Sequence, residues 1–63
     1  MRTIVIGLNP GLRVAKVKPN DTYEDVLNRY DLSANEVKLE SGEIKKINSV
    51  VGNEVKIFQI IKE

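Results

Sequence analysis

The sequence predicts an α+β domain, a mixed sheet of four to five strands with one helix packed on one face. Three observations predict it. Two stretches read as hairpins, a run of capping residues opens an amphipathic helix between them, and residues 54–61 form the most strand-like segment of the chain. With 63 residues the chain supports one domain, 1–63, because a core of this size cannot be divided between two units.

Residues 3–8 are β-branched or apolar up to Gly7, and Asn9-Pro10-Gly11 supplies turn chemistry, proline presetting φ and glycine tolerating positive φ. Residues 12–18 alternate, so the two runs predict a hairpin. Pro19 cannot donate to a ladder and ends the second strand, while Asn20, Asp21 and Thr22 are all good N-cap residues. Thr22 with Asp25 has the spacing of a weak capping box. Tyr23, Val26, Leu27 and Tyr30 then fall on one helical stripe, with Glu24, Asp25, Asn28 and Arg29 facing away, and the helix is expected to run about three turns. Leu32 is expected to close the core beneath its end. Residues 36–40 and 43–47 predict a short second hairpin around Ser41-Gly42, residues 48–51 carry no clear pattern, and the last strand is expected to lie centrally beside the first.

This order is that of a β-grasp. Val17-Lys18-Pro19-Asn20-Asp21-Thr22, followed by an amphipathic helix, resembles the corresponding passage of the ubiquitin-like family. Gly52-Asn53-Glu54-Val55-Lys56-Ile57-Phe58-Gln59-Ile60 resembles the final strand of the sulfur-carrier proteins of thiamin and molybdopterin biosynthesis, which are ubiquitin-like β-grasps themselves. The resemblance implies a carboxylate activated at a flexible tail closing with Gly-Gly. Here the sequence reads Ile61-Lys62-Glu63, charged residues directly after a strand, so carrier activity is assigned to no residue. A sulfur-carrier relative with a missing or trimmed diglycine tail stands as one alternative.

Composition narrows the chemistry. There is no Cys and no His, which removes the ordinary zinc ligands, the imidazole base and the thiol nucleophile. Ser33, Ser41, Ser49, Thr3 and Thr22 suit turns and caps, and Glu40 and Glu43 read as solvated charges flanking a turn. Gly7 to Gly11 lacks the Gly-Lys-Ser/Thr ending of a phosphate loop. The expectation is therefore no catalysis, no cofactor and no metal. Stability must come from packing of Ile, Val and Leu, roughly 3–5 kcal/mol for a single small core. Ten basic and nine acidic residues, spread along the chain, give a formal net charge of +1 and no strong steering. The short apolar run near the start is broken by Gly7, so a cytoplasmic protein with no membrane segment is expected.

Parity along the strands carries the functional expectation. If Ile4, Ile6, Leu8, Ala15, Val17, Val37, Leu39, Val55 and Ile57 face the helix, period-two alternation sends Val5, Leu12, Val14, Phe58 and Ile60 to the open face. Contiguous apolar patches of that kind mark interaction sites. These five residues predict a protein interface, used by a protein partner or in a homodimer. A small nucleic-acid-binding protein using Lys16, Lys18, Lys45, Lys46 and Lys56 is the second alternative.

Overall fold

The computed structural model describes residues 1–8 and 10–61. β1 (Arg2–Gly7) and β2 (Leu12–Val17) form the first hairpin, α1 (Tyr23–Arg29) follows, β3 (Glu36–Leu39) and β4 (Ile44–Lys46) form the second, and β5 (Ile57–Ile61) comes last. The five strands make one mixed sheet in the order β2-β1-β5-β3-β4, with β1 and β5 parallel and all other neighbours antiparallel. The last strand is thus central and beside the first, as its composition predicts. This one-helix, five-strand α+β arrangement is compatible with a β-grasp.

The helix begins where its capping chemistry places it. Thr22 Oγ1 accepts from the Asp25 N–H at 3.1 Å, and the Asp25 carboxylate accepts from the Thr22 N–H at 3.0 Å, closing the box in both directions. It ends after two turns rather than three. Asp31 takes a left-handed φ of 58°, and the Leu32 N–H donates back to the Leu27 carbonyl at 2.8 Å while that of Asp31 donates to Asn28. This is a Schellman closure, and the half-buried Leu32 packs on the core as the apolar residue beyond it. Residues 48–51, patternless in sequence, and Ile47, which the sequence places in the preceding strand, have a backbone role. The carbonyls of Ile47 and Ser49 accept from the Glu24 and Tyr23 N–H groups at 2.8 and 3.1 Å, satisfying donors that a helix start leaves over.

The first turn is closed by the Leu8 N–H on the Gly11 carbonyl at 2.9 Å, with Gly11 at φ 100°; Asn9, which the sequence places in this turn, lies outside the described residues. The second turn is a three-residue loop, Glu40-Ser41-Gly42, rather than two residues. Gly42 at φ 95° returns the chain so that Leu39 pairs with Glu43, its N–H donating to the Glu43 carbonyl at 2.8 Å.

One sheet face packs on α1. Ile4, Ile6, Ala15, Val17, Val37 and Phe58 are buried there against Tyr23, Val26 and Leu27, with Leu8, Leu39 and Ile60 packed around them. The phase of β5 is the reverse of the expected one. Phe58 is 1% exposed beneath the helix, and Ile60, opposite the buried Val37, faces the same way. Ile57 instead stands on the open face, opposite Val5. Val55 is buried as predicted, but it lies in a turn closed by its own N–H on the Gly52 carbonyl at 3.1 Å, before β5 starts. Counting parity from Val55 therefore carries the wrong phase across Lys56. The in-strand alternation also fixes the phase physically: the other choice would put Gln59 under the helix and Phe58 in water.

Candidate functional site

The open face is built row by row from strand register. Val14, Val5 and Ile57 are successive cross-strand neighbours on β2, β1 and β5, forming an unbroken apolar row. The next row runs Leu12, Gly7, Gln59, Lys38 and Ile44 across all five strands. Gly7 has no side chain to lift Gln59 from the sheet, and a Cβ there would come within 2.9 Å of Gln59 Cγ. Gln59 and Lys38 bound the apolar patch on that side and separate it from Ile44. On the other side Lys16 lies opposite Thr3, and its ammonium donates to Thr3 Oγ1 at 2.9 Å.

Of the five residues predicted for this face, Val5, Leu12 and Val14 lie on it. Leu12 and Val14 are 71% and 63% exposed on the edge strand, and Val5 is half-buried in the middle of the row. Phe58 and Ile60 do not lie on it, for the phase reason given above. Ile57 takes their place and was missed, although the polar Gln59 two residues later signals which way it points. Beside Ile57 lies an open groove of about 330 Å³, lined also by Leu39, Glu40, Ser41, Glu54, Val55 and Lys56.

The five lysines proposed for nucleic acid are not collected together. Lys16 stands on β2 at one edge of the sheet, with Lys18 just beyond that strand, whereas Lys45 and Lys46 are on β4 at the opposite edge and Lys56 immediately precedes β5. Lys45 also pairs with Glu43 at 3.0 Å. Tyr23 and Phe58 are core residues, leaving only the half-buried Tyr30 as an aromatic with any exposure.

Where β2 meets the helix there is a tight polar cluster. Asp21 accepts from the Lys18 N–H and from Arg29 Nη2, both at 2.9 Å, and the first of these, aided by Arg29, holds its carboxyl below the ordinary 3.8. Arg29 Nη1 donates to the Lys16 carbonyl at 2.8 Å, the Tyr30 hydroxyl accepts from the Lys16 N–H at 2.7 Å, and the Arg13 guanidinium lies 5.0 Å from the centre of the Tyr30 ring.

Among the described residues no helix is long and apolar enough to cross a membrane, and no group of three or more acidic side chains is placed to hold a metal ion. Lys62 and Glu63, on which the reading of the tail rests, lie outside the described residues. Comparison with protein-family models, with curated proteins and with solved structures finds no match for this chain.

Proposed function

We propose that this chain is a non-enzymatic, ubiquitin-like β-grasp module that binds a protein partner, or a second copy of itself, through the open sheet face. The observation that carries the reading is the Val14–Val5–Ile57 row with Leu12 beside it, an apolar surface crossing three strands on the side of the sheet away from the helix. Such a patch loses contact with water only when something covers it, and each Å² of apolar surface covered contributes about 25 cal/mol. The dispersed lysines and the buried aromatics favour a protein over a nucleic acid as that cover.

The test is solution mass by light scattering at several concentrations, for the parent chain and for the double variant Leu12→Glu/Val14→Glu. Both side chains are exposed, so the variant keeps its fold by circular dichroism. It is expected to lose self-association, or the binding of peptides selected on the parent chain. Association unchanged in the folded variant removes the open face from the account.

A further inference from the structure

The outer edge of β2 is closed at one end and open at the other. In an antiparallel pair, alternate residues exchange both backbone bonds with the partner strand while those between turn both groups outward. Lys16 is an outward residue, its N–H and carbonyl both taken by Tyr30 and Arg29 of the helix and its cap. Parity then turns the backbone groups of Val14 and Leu12 outward as well. β1 agrees with this phase: Val5, opposite Val14, donates away from β2, to the Lys56 carbonyl at 3.0 Å. Among the described residues nothing bonds the outward groups of Leu12 and Val14, and both side chains stand exposed on the open face.

Two antiparallel registers that would pair Val14 with a second copy are unfavourable. Antiparallel self-pairing centred on Val14 sets Leu12 against the Lys16 of the copy, whose N–H is already committed to Tyr30. Centred on Arg13, it sets two guanidinium groups directly opposite each other, a destabilising like-charge pair. The charge nearby is of one sign. β2 and the residue after it carry Arg13, Lys16 and Lys18 and no acid, and the neighbouring Asp21 is committed to Arg29 at 2.9 Å.

We propose that this edge receives an extended, acidic segment of a partner protein as a sixth strand. Its backbone pairs with Leu12 and Val14 and stops short of Lys16. Apolar residues of the segment lie beside Leu12 and Val14 on the open face, and the acidic residues that alternate with them meet Arg13 on the helix side. The inference rests on the reading that the chain is a protein-binding module, and adds to it a backbone-pairing mode and the sign of the partner's charge.

The probe is a library of random octapeptides displayed on phage, selected on the full chain. Selected sequences are expected to alternate apolar with acidic residues. A synthetic peptide of such a sequence is expected to slow hydrogen exchange at the Leu12 and Val14 amides, and N-methylation of its pairing residues is expected to weaken binding about tenfold, a readout that leaves the protein unaltered. Arg13→Glu, on the helix side of β2, weakens the peptide and leaves the open face intact, whereas Ile57→Thr touches the face and not the edge. No enrichment, enrichment without acidic residues, or peptides that bind while both amides exchange freely overturns the proposal. In the last case sensitivity to Ile57→Thr without sensitivity to Arg13→Glu returns the binding to the open face alone.

Discussion

Tyr23, the first residue of α1, and Phe58, the second residue of β5, meet edge to face with ring centroids 5.0 Å apart and planes at 87°. That pair joins the helix to the central strand, and both residues are almost wholly buried. Offset and T-shaped rings gain about 0.5–1.5 kcal/mol beyond the area they cover. Phe58 is therefore a residue of stability, and the open face carries no aromatic side chain.

Truncating that ring separates the two faces of the sheet. Phe58→Ala leaves a cavity under α1 and is expected to cost about 3–5 kcal/mol, comparable with the roughly 3–5 kcal/mol that a single core of this size supplies. The variant should be at least half unfolded by circular dichroism at room temperature. Val14→Thr, at an exposed position, should stay within about 0.5 kcal/mol of the parent in urea unfolding. A folded Phe58→Ala variant with near-parent stability would contradict the burial of the ring.

The parts of this fold that could be read from sequence are those set by chemistry close along the chain. Thr22 and Asp25 cap each other across three residues, Pro19 stops β2, and the stripe of Tyr23, Val26 and Leu27 needs only the helical period. The helix end was less legible because Asp31, neither Gly nor Asn, holds the left-handed position that closes it. Strand phase is fragile for a different reason: a single turn resets it. Val55 is as buried as predicted, yet the bend at Lys56 inverts everything after it, and so Val5, Leu12 and Val14 stand on the open face as expected while Phe58 and Ile60 turn beneath the helix. Gln59 carried the correction, since a polar residue between Phe58 and Ile60 assigns both of them inward. The closed end of the β2 edge had no sequence signal, because it depends on Tyr30 and Arg29 reaching Lys16 across 13 or 14 residues.

Arg2 ties the start of β1 to the turn before β5. Its guanidinium donates to the carbonyls of Val55 and Gly52, 53 and 50 residues along the chain, and the same turn is closed by the Val55 N–H. Removing the fork leaves two carbonyls with poorer partners, and hydrogen bonds to charged groups contribute about 1.5–3 kcal/mol each. Arg2→Ala is expected to destabilise the chain by about that amount and to speed hydrogen exchange at the Val55 amide. Arg2→Lys should recover only part of the loss, because a single ammonium does not reproduce the planar fork. Full recovery by lysine would show that charge alone matters at this position.

Asp21 contributes to the response to acid. Its carboxyl is held below 3.8, first by the Lys18 N–H and also by Arg29, so the folded state binds its proton less readily than the unfolded chain does. A depressed value of this kind gives stability that is fully present above the unfolded value and lost as pH falls through the lower folded one. Between about pH 6 and about pH 2 the urea midpoint should therefore fall more steeply for the parent than for Asp21→Asn, which has no charge to lose. Arg29 also holds the Lys16 carbonyl, so protonation of Asp21 in the parent should loosen that end of β2 and raise exchange at the Lys16 amide. Identical acid limbs for the two proteins would show that the Asp21 carboxylate adds nothing to stability, and the link from Asp21 through Arg29 to the edge of the sheet would fall with it.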